Sequence, residues 1–404
     1  MHPNRKSAFM TISLKAFAPA LFLLPLFFLS TEKEAFPLKE NSSAGKASVI
    51  NPPVAMKIQA AILLDVSNSM DGLIEQAKSQ LWNMVSIMGK AKCNGSTPGI
   101  EIALYEYGTP RNAAATGYVK QLSPFTTDLD GLSKTLFGLK TNGGDEYCGQ
   151  VIHTAVNELA WDTSAASYKV IFIAGNENFL QGKLQYTQAC TAAKSKGILV
   201  NTIYCGDKQQ GIREHWNLGG ECGGGDYTSI NQDAKEEEIP TPYDSTLMVL
   251  NTRLNKTYIG YGNGAAAGLS TQAYADVSYF QANKSVAMKR IAVKSNKKLY
   301  NNAAWDLVDA ADKDGDGVVD KLDKELLPDS VKKLSAPQLK QYVKTKSAER
   351  AAVQTEIANV SLQRENYITE ERKKKATANR QQTLETETEK LLKKQAKQFN
   401  MLIE

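Results

Sequence analysis

From residue 56 to 238 the chain alternates between two hydrophobic periods. Lys57–Leu64 is a mostly aliphatic run that ends at a polar loop. Leu73–Ala91 then spaces apolar residues helically, at Leu73, Ile74, Ala77, Leu81, Met84, Val85 and Met88. Ile100–Tyr107 places Ile100, Ile102 and Leu104 on one face and Ala103, Tyr105 and Tyr107 on the other. Apolar residues on both faces predict a parallel strand covered on both sides. Helices are predicted at 128–138 and 149–160, a strand at Lys169–Ala174, a helix at 184–195, and strands at Ile198–Cys205 and Tyr227–Ile230. Strands alternating with helices imply right-handed crossovers, hence a doubly wound, mostly parallel α/β sheet. Ligands in such a sheet bind at the carboxyl ends of the strands, here the loops after residues 64, 107, 140, 174 and 205.

Beyond 238 the pattern becomes helical, so the predicted fold class is an α/β sheet domain at 56–238 followed by an α-helical C-terminal region. Residues 239–330 form its first part, with helical stretches through Tyr258 and at 271–304 around a Gly/Ala-rich loop. No glycine follows Gly317 and no proline follows Pro337, which predicts a long charged helix over 331–404. Val353, Ile357, Val360 and Tyr367 make one apolar stripe, and Leu384, Leu391, Phe399 and Leu402 another. Such stripes suit either a coiled-coil surface for self-association or packing on the helix's own domain.

Charge changes the picture only in this tail. Residues 331–404 hold 16 Lys/Arg against 9 Asp/Glu, whereas the formal charge of the whole chain is +5. The rest of the chain is therefore slightly acidic, and the tail's aromatics do not interleave with its basic residues, so no nucleic-acid-binding role is expected. At the other end, Arg5, Lys6 and Lys15 precede the apolar run from Ala16 to Leu29. Residues 1–30 read as a signal peptide or an uncleaved membrane anchor, and 31–55, with Pro52-Pro53, as a linker. The expected location is exported, periplasmic or cell-envelope, with membrane association through the N-terminus as the alternative to cleavage. Export makes Cys93, Cys148, Cys190, Cys205 and Cys222 disulfide candidates, with Cys205–Cys222 and Cys148–Cys190 as possible pairs; buried small hydrophobes are the alternative.

The most informative segment is Ile62-Leu63-Leu64-Asp65-Val66-Ser67-Asn68-Ser69-Met70. A strand running into Asp-x-Ser-x-Ser delivers one carboxylate and two hydroxyls to a loop at the sheet's carboxyl edge. Hard oxygens on alternate residues suit Mg²⁺ or Mn²⁺. Placed after the first strand, the motif resembles the metal-ion-dependent adhesion site of von Willebrand factor type A domains. The family's second loop usually presents a threonine after paired glycines; here Thr141-Asn142-Gly143-Gly144-Asp145-Glu146 puts Asp145 at that position. Its third loop usually offers an aspartate where Ile173-Ala174-Gly175-Asn176-Glu177 has Gly175. This run and Trp305-Asp306-Leu307-Val308-Asp309-Ala310 look like an exported bacterial branch of the family. The resemblance implies a divalent site of Asp65, Ser67, Ser69 and Asp145, with Glu177 acting through water. In adhesive members a partner's carboxylate completes the metal's shell, and a directly bound Asp145 would weaken that pull. The alternative is a hydrogen-bonded loop without metal.

A second oxygen-rich segment spans 312–323. Asp312, Asp314, Asp316, Val318 through its carbonyl, Asp320 and Asp323 occupy the ligand positions of an EF-hand-like calcium loop, with Gly317 at position six. Asp323 stands where the bidentate glutamate usually does; a polar helix–helix turn is the alternative. No Gly-x-Ser-x-Gly elbow, His-Glu-x-x-His or phosphate loop occurs; Cys148 and His153, five residues apart at the start of a helix, could form a thiolate–imidazole pair, with a disulfide or core cysteine as the alternative. The expectation is an exported, non-enzymatic binding protein with a protein or cell-envelope partner. The rival is a metal-independent scaffold self-associating through its tail.

Overall fold

The computed structural model describes residues 56–93, 95–231, 233, 238–374 and 383–403. The expectations for 1–30 and 31–55 lie outside the described residues. In chain order the first part contains β1 (Lys57–Asp65), α1 (Asp71–Met88), β2 (Ala91–Lys92), β3 (Gly99–Tyr107) and β4 (Lys120–Thr126). It continues through α2 (Leu129–Phe137), α3 (Cys148–Glu158), β5 (Tyr168–Gly175) and α4 (Tyr186–Ser195). β6 (Ile198–Cys205), α5 (Lys208–Arg213), α6 (Trp216–Cys222) and β7 (Gly224–Ile230) complete it.

Six strands form one sheet in the order β4-β3-β1-β5-β6-β7, parallel except for the antiparallel edge β4. The predicted doubly wound sheet is present. Ala61, Leu63, Ala103 and Ile171 pack one face against Val151, Ile152 and Ala155 of α3. Ala60, Leu64, Ile102 and Phe172 pack the other against Leu73 and Leu81 of α1 and Leu132 of α2. Because the chain leaves β1 for β3 and later returns to its other side as β5, the carboxyl end of β1 lies at the switch of strand order. Edge strand β4 is absent from the sequence expectation: Lys120–Thr126 contains Pro124 and has no residue buried on either face, so it carries no hydrophobic period.

The helical part holds α7 (Asp244–Asn255), α8 (Ala265–Ala282), α9 (Lys284–Lys294), α10 (Leu307–Asp314), α11 (Gly317–Asp320) and α12 (Asp329–Lys332). It ends in α13 (Ala336–Lys374), α14 (Leu384–Ala396) and β8 (Leu402–Ile403). Here the tail departs from the single long helix expected. Thr383 starts a new helix with a capping box closed by Thr386. Leu384, Leu391 and Leu392 of α14 join the core formed by α1 and the sheet, and β8 pairs antiparallel with β2. Gln395 hydrogen-bonds Tyr168 at 2.9 Å and Asn201 at 2.7 Å, deep under the sheet. Helix α13 buries Leu339, Val343, Val353 and Ile357 against its own chain. Val353, Ile357 and Val360 of the first stripe and Leu384, Leu391 and Phe399 of the second thus pack on their own protein, while Tyr367 and Leu402 are exposed. No helix among the described residues is long and apolar enough to cross a membrane.

Candidate functional site

Asp65 is the last residue of β1, opposite Tyr107 at the end of β3. Its Oδ1 accepts the Ser67 N–H at 2.8 Å, folding the Asp-x-Ser-x-Ser segment back over the strand end. Ser67 Oγ lies 3.3 Å from Ser69 Oγ, and the Asn176 side chain from the loop after β5 donates to Ser69 Oγ at 3.1 Å. The backbone of Asn142 donates to Val66 at 2.8 Å, drawing the 141–147 loop against this turn. Asp65 and Ser67 are buried, while Ser69 is exposed.

The acid brought to Asp65 is Glu146, not the expected Asp145. Asp145 is exposed and accepts a hydrogen bond from the Tyr147 hydroxyl at 3.2 Å. Glu146 is buried and interacts with both Asp65 and Ser67. The register is set at the turn after β3. Gly108 there has φ +78, and a Cβ on it would lie 2.7 Å from Asp65 Oδ1 and 2.8 Å from Glu146 Cγ. Only a glycine lets the two acids close over that turn. Glu177 is exposed on the loop after β5, near enough for its charge to act on both carboxyls.

Asp65 Oδ2 and Glu146 Oε2 are both buried and neither has a hydrogen-bond partner among the described residues. Burial and the neighbouring negative charges raise both carboxyls, Asp65 to about 6 and Glu146 to about 9. Two orphaned carboxylate oxygens beside two hydroxyls fit a hard divalent cation; without one, the pair retains a proton. The residues that would hold the ion are Asp65, Ser67, Ser69 and Glu146. Among the described residues no three acidic, histidine or cysteine side chains converge as a metal cluster, so the hydroxyls are needed to complete the set.

Gly175 has a steric reason to replace the acid that the resemblance led us to expect. A Cβ there would lie 2.6 Å from the Tyr107 hydroxyl and 3.0 Å from Asp65 Oδ2. That hydroxyl donates to the Ala174 carbonyl at 3.0 Å, which fixes the ring in the gap. Gly175→Ala is therefore expected to destabilise the protein by about 1–3 kcal/mol through overpacking. Combining it with Tyr107→Phe, which removes the clashing oxygen, should recover part of the loss in thermal unfolding.

The acids of the 312–323 segment lie on separate short elements. Asp312 and Asp314 lie within α10, while Val318 and Asp320 lie within α11 and Asp316 immediately precedes it. Asp312 pairs with Lys297 at 2.5 Å and accepts from Ser347, Asp320 pairs with Lys340 at 2.7 Å, and Asp323 accepts the Glu325 N–H at 3.0 Å. The acids anchor separate helices instead of converging. The thiol–imidazole pair is not formed either: Cys148 is buried against the Tyr107 hydroxyl at 3.9 Å, and the His153 ring meets Asn157 at 3.1 Å. Neither expected cysteine pair is in contact. Cys205 is buried near Asp65 and Cys148 sits against Tyr107, while Cys222 is the cysteine whose charge acts most on Cys190.

No protein-family model matches the chain, and no curated protein matches it. Among solved structures, it is similar to an aerotolerance-related membrane protein from Bacteroides fragilis, with 16% identity, 44% of this chain and 93% of that one covered, and a TM-score of 0.31. It is similar to a von Willebrand factor type A structure from Catenulispora acidiphila, with 13% identity over 44% of this chain and 39% of that one, at a TM-score of 0.33. It is also similar to mussel-byssus proximal thread matrix protein 1 with a zinc-occupied metal-ion-dependent adhesion site, with 12% identity over 44% and 43% of the two chains, at a TM-score of 0.33. The chain's own strand order and connections make it a doubly wound, mostly parallel α/β protein with a helical C-terminal region.

Proposed function

We propose that this is an exported, non-enzymatic binding protein that recognises a protein or cell-envelope partner through a divalent cation at the end of β1. The observation that carries the reading is the pair of buried, unpartnered oxygens on Asp65 and Glu146. Mg²⁺ or Mn²⁺ would replace the retained proton there, with Ser67 and Ser69 as neutral ligands and Glu177 acting through water. Two carboxylates on one ion cancel its charge, so the open position favours a neutral oxygen, a carbonyl or hydroxyl, over an acidic side chain. Leu180, on the loop after β5, and Ile212, in α5 after β6, are exposed and offer apolar contact on the strands' carboxyl side. The scaffold alternative has less support because most residues of the tail's two apolar stripes pack on their own chain.

Thermal unfolding with Mg²⁺, Mn²⁺ and Ca²⁺ tests the proposal. A saturating cation is expected to stabilise the protein, by about 2.7 kcal/mol at one hundred times its Kd, and Asp65→Asn should abolish the shift. Indifference to every cation would overturn the reading.

A further inference from the structure

Two cysteines lie at the seam where α4 packs on α6. Cys190 on α4 is fully buried, with Sγ 3.8 Å from the Gly219 carbonyl on α6. Cys222 lies three residues beyond Gly219, almost one helical turn, on the same helix face. The Cys222 thiol is near enough to act electrostatically on the Cys190 thiol, and it is half-buried. The other cysteines are enclosed elsewhere: Cys93 against Met56 Sδ at 3.4 Å, Cys148 against Tyr107, and Cys205 near Asp65.

We propose that Cys190 and Cys222 form a disulfide, a covalent modification site that braces α6 against α4 behind the loop carrying Glu177. The oxidant is an external disulfide. The Cys222 thiolate, on the sulfur that solvent can reach, attacks one sulfur of that molecule; its S–S bond breaks and one thiolate leaves. The Cys190 thiolate then attacks Cys222 Sγ and expels the second external thiolate. Two electrons pass to the external disulfide, and the two protons given up by the cysteines end on its two thiols. The order follows access, because Cys190 is closed to solvent and burial pushes its thiol up.

The brace acts on the candidate site through Trp216 of α6. Its Nε1 donates to the Glu177 carbonyl at 2.7 Å, and its ring meets Phe179 edge-on at 5.1 Å. Fixing α6 therefore fixes the loop that holds Glu177. The cross-link also closes the segment containing β6 and α5, which restricts the unfolded chain. This chemistry does not require a bound cation.

The test is exposure of the folded full chain to oxidised glutathione, followed by tryptic mapping without reduction. The expected product lacks two hydrogens and links fragment 184–194 to 214–235, with the denaturation midpoint raised and restored by dithiothreitol. Cys222→Ser should leave Cys190 unmodified. A persistent glutathione adduct on Cys222, a link through fragment 197–208 that carries Cys205, or no reaction would overturn the proposal.

Discussion

Replacing Arg350 by methionine is expected to cost about 3–5 kcal/mol of stability, because it strands two carboxylates in the core. Arg350 on α13 is fully buried, and its guanidinium donates to Asp306 and Asp309 at 2.6 Å each and to the Thr257 carbonyl at 2.9 Å. It also lies 4.0 Å from the centre of the Tyr258 ring. Asp306 has further duties: it caps α10 through the Asp309 N–H at 2.9 Å and accepts the Ile259 N–H at 2.7 Å. Without the arginine, both acids must lose water with no cation in return. The deficit should shrink in mild acid, where the stranded Asp309 carboxyl, already raised by burial, takes up a proton, and should be partly relieved by adding Asp309→Asn. Urea unfolding near neutral pH and near pH 5 checks both statements. An equal loss at the two pH values would show that packing, not charge, is at stake. The Trp305–Ala310 segment, singled out on resemblance, thus anchors the long helix.

Glu146→Gln should move stability and cation binding in opposite directions. The pair's raised carboxyls hold a proton in the folded state that the unfolded chain releases near the ordinary carboxylate range. The cation-free protein therefore binds more protons folded than unfolded between about pH 4.5 and 9. The stabilisation is complete below that window and is lost as pH rises through it, by at most about 1.4 kcal/mol per pH unit for one proton. A bound cation displaces that proton, so its affinity should rise across the same window, up to tenfold per pH unit. The amide removes one of the two charges and keeps the shape. At about pH 8 the variant should be more stable than the native chain by about 1–3 kcal/mol without cation, yet show no cation-induced shift. Thermal unfolding across pH, with and without Mn²⁺, reads both effects.

What the sequence made legible follows burial. β1, β3, β5 and β6 are apolar on both faces, and each was foreseen to within about a residue at either end, as covered parallel strands permit. Edge strand β4, with Pro124 and half-covered side chains, offers no such period. The Asp65 loop was legible because a strand leads straight into it. The neighbouring loop was not, since Asp145 and Glu146 are adjacent acids, and which one turns inward depends on the close approach to Gly108. The absence of glycine and proline after Pro337 correctly implied helix, but not that α14 would fold back beneath the sheet; the capping signal at Thr383 was the local clue. Spacing alone made 312–323 look like a calcium loop. Lys297 and Lys340, distant in sequence, engage two of its acids.

The most direct test is a calorimetric Mn²⁺ titration of the native chain beside Glu146→Gln and Asp145→Asn. Saturable binding is expected for the native chain and for Asp145→Asn alike, because Asp145 faces solvent and the Tyr147 hydroxyl. None is expected for Glu146→Gln. Binding that survives in Glu146→Gln but disappears in Asp145→Asn would contradict it.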